Sequence, residues 1–227
     1  MFLAKALIPT AAYDPVTSFT PIASYSKFPF ILVSSTTLPV HSYKEFAALA
    51  KAQPGKLNYG ASTPGSPPHI LAEMFKSQSG LDIFGINYKG SADAVTRFLA
   101  GDVQMMVDAW PSIGPMLAAN KARALLVTSN TRNPKIPDVP TAPEAGMPDY
   151  IVESYLGFVG PAGMAEASVN RFNREVAKVM ATKEMADVMD RMSMEVFINT
   201  PTQFAELIKK DWPKWNSAVK TANIKVQ

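Results

Sequence analysis

The chain has 227 residues, 47% hydrophobic and 18% charged, with a formal net charge of +3. That is enough apolar material for a core and too little charge for disorder, and the length suits one large domain or two small ones. Cysteine is absent, which excludes thiol nucleophiles, thiolate metal sites and disulfides together. The basic residues form no run beyond Lys209-Lys210, so a solvated helix face explains them better than nucleic-acid binding. No stretch approaches the roughly 18 apolar residues of a membrane span. Met1 to Pro9 is too short, and lacks the basic start, for a secretion signal.

Along the chain, strand and helix patterns alternate. Phe30-Ile31-Leu32-Val33 is an apolar run suited to a buried strand. Ser42-Tyr43-Lys44-Glu45 reads as a capping box for a helix with Phe46, Leu49 and Ala50 on one face, stopped at Pro54-Gly55. Leu57-Asn58-Tyr59 is a strand, and a small-residue loop then leads to a helix through Ile70, Leu71, Met74 and Phe75 that ends near Gly80. Ile83 to Tyr88 alternates like a strand, and Ser91 is placed to cap a helix carrying Ala94, Val95, Phe98 and Leu99. Val103 to Val107 and Ala124 to Thr128 are the next strands. Residues 129–148, with five prolines from Pro134 to Pro148, read as an extended surface connection. Tyr155 to Val159 is a strand, followed by a helix with Val169, Phe172, Val176 and Val179 at spacings of three and four. After a last strand at Glu195 to Ile198, Thr200-Pro201-Thr202-Gln203 opens a helix that buries Phe204, Leu207, Ile208, Trp215 and Val219 and should kink at Pro213. Such alternation predicts an α/β protein with mostly parallel sheets.

Three strand-end loops are candidates for chemistry. In Tyr59 to His69, Gly60 and Gly65 allow close backbone approach, while Ser62, Thr63 and Ser66 offer hydroxyls. Amides at the following helix start would point into the same space, which suits an anion; the plainer alternative is a βα turn capped by Ser66. Tyr88-Lys89-Gly90-Ser91 is similar, with Lys89 as a positive charge or as a mere surface lysine. In Asp108-Ala109-Trp110-Pro111-Ser112, Asp108 is suited to orient a loop or a ligand, and Trp110 to wall a pocket or to pack. In parallel α/β sheets the carboxyl ends of the strands face the ligand crevice, so the three loops should converge. Enzyme signatures are lacking. His41 and His69 are the only histidines and have no metal-binding spacing, and no serine stands in a Gly-x-Ser-x-Gly elbow.

Taken together, the motifs have a familiar order. Pro54-Gly55-Lys56-Leu57-Asn58-Tyr59-Gly60, Gly65-Ser66, His69, Tyr88-Lys89-Gly90, Gly101-Asp102-Val103-Gln104 and Asp108 are collinear with Val127-Thr128-Ser129, Pro137-Asp138-Val139-Pro140-Thr141, Glu144-Ala145-Gly146, Gly157 and Pro161-Ala162-Gly163. With Tyr13-Asp14-Pro15 near the start, this set resembles the receptors of tripartite tricarboxylate transporters, the Bug-type periplasmic solute-binding proteins, over essentially the whole chain.

The resemblance implies a type II periplasmic-binding-protein-like fold, with two α/β domains around a cleft that closes on a small carboxylate, a dicarboxylate or an aromatic acid. It implies no cofactor and no catalysis, a periplasmic location, and delivery of the ligand to the membrane permease subunits. Residues 1–37 with 157–227 would form the first domain and 38–156 the second. Ser62, Thr63, Gly65, Ser66, Lys89, Gly90, Ser91 and Asp108 would line the surviving half of the cleft. Two departures stand out: Pro64 replaces a small residue, and nothing matches the family's signal peptide and Pro-Gly-Gly loop. By counting βα units, on the order of 60–80 residues are expected ahead of Met1. The first domain would then be incomplete and prone to self-association. A cytoplasmic ligand-sensing domain, or an enzyme on the same fold, is the alternative reading.

Overall fold

The computed structural model describes residues 2–8 and 10–221. The chain begins with helix α1 (Phe2–Leu7), strands β1 (Phe19–Pro29) and β2 (Ile31–Ser35), and helix α2 (Tyr43–Ala52). Three strand–helix pairs follow: β3 (Asn58–Ala61) with α3 (Pro67–Ser79), β4 (Phe84–Asn87) with α4 (Ser91–Ala100), and β5 (Met105–Asp108) with α5 (Trp110–Ala118). Then come β6 (Ala122–Val127), β7 (Glu153–Pro161), α6 (Glu166–Met180), α7 (Lys183–Met192), β8 (Glu195–Val196) and α8 (Pro201–Thr221). The chain divides into two compact units: residues up to Phe28 with Ser154–Lys220, and Pro29–Glu153. The first break thus falls between 28 and 29 rather than after 37. The reason is β2, whose ladder partners β5 and β6 both belong to the 29–153 unit.

In that unit the sheet order is β4-β3-β5-β2-β6. β3 runs parallel to β4 and β5, but β2 is antiparallel to both its neighbours, with Ile31 opposite Asp108 on one side and Val127 on the other. A mostly parallel sheet therefore carries one reversed inner strand. All five β2 residues are buried, Ser34 and Ser35 as well as the apolar Ile31-Leu32-Val33, as befits an inner strand covered on both faces. One core gathers Ile31, Val33, Phe98, Val103, Met106, Ile113 and Val127. On another side Phe75 packs edge-on to Tyr43 and Tyr150, with ring centroids 6.0 and 5.8 Å away.

The capping signals act much as the sequence suggests. Ser42 Oγ accepts the Glu45 amide at 3.2 Å, while the Glu45 carboxylate takes the amide of His41, one residue earlier than a capping box demands. Gly80 and Gly101 end α3 and α4 in the left-handed region, φ 63° and 89°, where a Cβ is costly. The 129–148 stretch is more than a surface connection: Thr141 bridges back to Val127, and Thr141, Ala142 and Met147 are buried.

The other unit has a sheet in the order β7-β1-β8, with β1 antiparallel to β8. Ile22, Ala23, Val169, Val176, Met180 and Met189 form its core. Gly157 has no room for a side chain, because a Cβ there would run into the Phe204 ring. Thr200 and Gln203 cap α8 reciprocally, at 3.0 and 3.2 Å, and the helix continues past Pro213 to Thr221. Val176 and Phe204 are buried and Leu207 is half-buried, whereas Val179 is exposed, together with Leu156, Phe158 and Val159 of β7 and Phe172 of α6.

Candidate functional site

Adjacent parallel strands release their chains from the same edge, so the loops after Ala61, Asn87 and Asp108 leave the sheet side by side. β6 runs in the direction of β5, since both oppose β2, and brings Thr128 and Ser129 to this edge as well. The first two loops are tied together: the Tyr88 amide donates to the Ala61 carbonyl, and Thr63 Oγ1 to the Lys89 carbonyl, both at 2.9 Å.

Within the first loop Gly65 sits at φ 79°, a conformation that L side chains rarely adopt. Its amide donates to Nδ1 of His69 at 3.0 Å. Ser62, buried at the end of β3, faces Ser66 with its hydroxyl 2.6 Å from that of Ser66. Ser66 has the backbone of an N-cap, φ −71° and ψ 160°, but its side chain makes no cap bond. The hydroxyl is spent on Ser62 instead. The expectation that amides at the start of α3 add to an anion nest needs correcting, because Pro67 and Pro68 occupy the first helical positions and carry no N–H.

The second loop supplies what α3 lacks. Gly90 is the N-cap of α4, so Ser91 is its first helical residue and not its cap. The opening amides of such a helix have no partner within it, and the dipole there favours negative charge. Lys89 is exposed, and its backbone amide reaches Asp93 Oδ2 at 3.4 Å.

Asp108 closes β5 and is 5% exposed. Its Oδ1 accepts the Ala109 amide at 2.7 Å, while Oδ2 is buried with no hydrogen bond of good geometry. Burial pushes the Asp108 pKa up, and the hydroxyls of Ser91 and Ser112 with the Ala109 amide offset part of the rise. Trp110, one residue into α5, packs against the core, and its indole fills the space that a Cβ at Gly114 would need.

Two residues at this edge are missing from the sequence-based set. Thr128 is fully buried; its hydroxyl accepts the Phe30 amide at 2.9 Å and donates to the Val152 carbonyl at 2.5 Å, joining the points where the chain enters and leaves the unit. The same strand-end reasoning applied to Val127-Thr128-Ser129 would have found it. His69, set aside as a metal ligand, holds the first loop; a histidine four residues after a glycine gives no signal of that in sequence. Among the described residues no group of three or more metal-ligating side chains occurs.

The family model of the tripartite tricarboxylate transporter receptor matches residues 4–224. The chain belongs to this receptor family. Receptors of this kind are periplasmic and bind solutes, and neither they nor their structural neighbours here are enzymes. Among solved receptors, an R. palustris protein with adipate superposes with a TM-score of 0.85 at 31% identity, covering 95% of this chain and 72% of that one. MatC from Rhodopseudomonas palustris with bound malate gives 0.83 at 27% identity, covering 96% and 75%. A curated relative from Pseudomonas sp. strain P51, a protein in the tcbD–tcbE intergenic region, is 27% identical over 212 residues. That match takes in 93% of this receptor chain but 63% of the relative, so the chain spans a little under two-thirds of its length.

Proposed function

We propose that this receptor captures a small organic carboxylate, a dicarboxylate or an aromatic acid, at the loop edge of the 29–153 unit. It would then hand the acid, in the periplasm, to the membrane permease of a tripartite tricarboxylate-type transporter. The observation that carries the reading is the hydroxyl pair of buried Ser62 and half-buried Ser66, tied through Thr63 and Lys89 to the open amide end of α4. Fixed neutral donors replace a carboxylate's water shell without the cost of burying a counter-charge. Lys89, being exposed, would add only about 1 kcal/mol or less. Asp108 is buried too deeply to serve as the main contact and suits the role of holding Ser91 and Ser112 at the starts of α4 and α5.

Titration calorimetry with adipate, malate and benzoate tests this, on the chain itself and on a version extended to the length of its relatives. Binding of at least one acid, weakened by Thr63→Ala, is the expected result. Heat from none of them in either form would refute the reading.

A further inference from the structure

Gly65 is the one residue of the 62–66 loop held in the left-handed region, and the interaction that holds its amide comes from a side chain. His69 projects from the first turn of α3, is 7% exposed, and places Nδ1 3.0 Å from the Gly65 nitrogen. Because that amide is a donor, Nδ1 must offer a lone pair, which fixes the ring as neutral with its proton on Nε2. We infer that His69 is the positioning residue of this loop: neutral, it latches Gly65 and with it the Ser62–Ser66 pair, and protonated, it turns a donor against a donor and lets the loop go.

The surroundings keep the latch closed at neutral pH. Burial lowers the pKa of His69, and Glu73, one turn along the same helix, partly counters this. Glu73 is itself engaged by the Tyr59 hydroxyl from β3. Of the other strands against α3, β4 brings no titratable side chain and β5 brings only Asp108, while Tyr43 and Tyr150 abut the helix near Phe75 and Leu71. The sign follows: the latch is present above the lowered pKa of His69 and is lost as pH falls through it. A receptor that relies on the 62–66 loop should then loosen its ligand on acidification. Only this last consequence rests on the carboxylate-binding reading.

The test has two arms. In the first, NMR of the unliganded chain follows the His69 ring nitrogens and the exchange of the Gly65 amide, corrected for its intrinsic pH dependence, between about pH 5 and 8. The Nε2–H tautomer is expected, with Gly65 protection falling about 5- to 10-fold as His69 protonates, the loss of roughly one hydrogen bond. His69→Asn, which puts a non-titrating acceptor where Nδ1 was, should keep the protection and remove its pH dependence; His69→Leu should lose it at every pH. A neutral Nδ1–H tautomer, or a His69 titration that leaves Gly65 unmoved, overturns the inference on the wild-type chain alone, whether or not the variants fold. In the second arm adipate and malate are titrated at the same pH values. Affinity that falls with pH in the wild type and stays level in His69→Asn supports the latch; an equal fall in both overturns it. If neither these acids nor benzoate gives heat with the chain or its extended form while the NMR arm comes out as expected, the carboxylate reading fails and the latch stands.

Discussion

The Ser62–Ser66 pair can be interrogated without any ligand. The two residues differ in what is left behind when one hydroxyl is deleted. Ser66→Ala strands the hydroxyl of Ser62, which is 5% exposed, so the cost should approach that of a buried unsatisfied group, about 1–3 kcal/mol. Ser62→Ala strands the hydroxyl of Ser66, which is half-buried and able to turn to water, for about 1 kcal/mol or less. Deleting both removes the pair and its orphan together, so the double variant should cost about 1 kcal/mol less than the sum of the singles. Urea unfolding followed by circular dichroism reads these differences as midpoint shifts of about 0.5 M per kcal/mol at unchanged slope. Equal single effects that add to within about 0.3 kcal/mol would mean that the hydroxyls do not meet in solution. The geometry proposed for the first loop would then be wrong.

Other expectations concern neighbouring features. Asp108→Asn should stabilise the protein at neutral pH and leave it little changed in acid. The folded-state pKa of Asp108 is raised, so wild-type stability falls as pH climbs through the ordinary carboxylate value to the raised one; denaturant midpoints at pH 3 and 7 check this, and a larger gain at pH 3 would reverse the sign. Lys89→Ala should weaken an acid ligand by about 1 kcal/mol or less, with the difference shrinking in high salt; complete loss of binding would reveal a direct ion pair. Gly85→Ala would drive a Cβ into the Tyr59 hydroxyl and push it from Glu73, for about 1–3 kcal/mol in thermal unfolding; an unchanged midpoint would refute that packing. β7 is the end strand of its sheet among the described residues and exposes Leu156, Phe158 and Val159, so the chain should self-associate in light scattering. Phe158→Lys should return it to the monomer, and a wild-type monomer at high concentration would remove the argument.

Local chemistry was the legible part of the chain. Gly80, Ser42 and Thr200 punctuate helices where their side chains, or lack of them, dictate. The Ile31 to Val33 run was legible as an inner strand, yet its reversed direction was not, because the direction follows from where the chain enters the sheet. β1 escaped notice because its buried positions include Ala23, Ser24 and Ser26, small and polar residues that break the apolar alternation. α5 was hidden by Pro111, Gly114 and Pro115, which read as loop although a proline near a helix start is well tolerated and Ile113 and Met116 keep helical spacing. At the site, the residue types were readable but their pairing was not. Nothing in the order Ser62, Gly65, Ser66, His69 shows that Ser66 forgoes its cap for Ser62, or that the Gly65 amide is already taken.

The nesting of one unit inside the other in sequence sets a timetable for synthesis. Residues 29–153 emerge as one continuous stretch whose two ends are joined by Thr128, so that unit can close on its own as soon as Val152 has left the ribosome. β1 is made first but must wait. Ser24 donates to the carbonyl of Phe197, 173 residues further on. At about 5–20 residues per second that interval is roughly 9–35 s, and for most of it, until β7 has been made, the eleven-residue strand has no ladder partner among the described strands. A partner that shields β1 over this interval would raise the yield of folded protein, and slow translation beyond residue 153 would lower it.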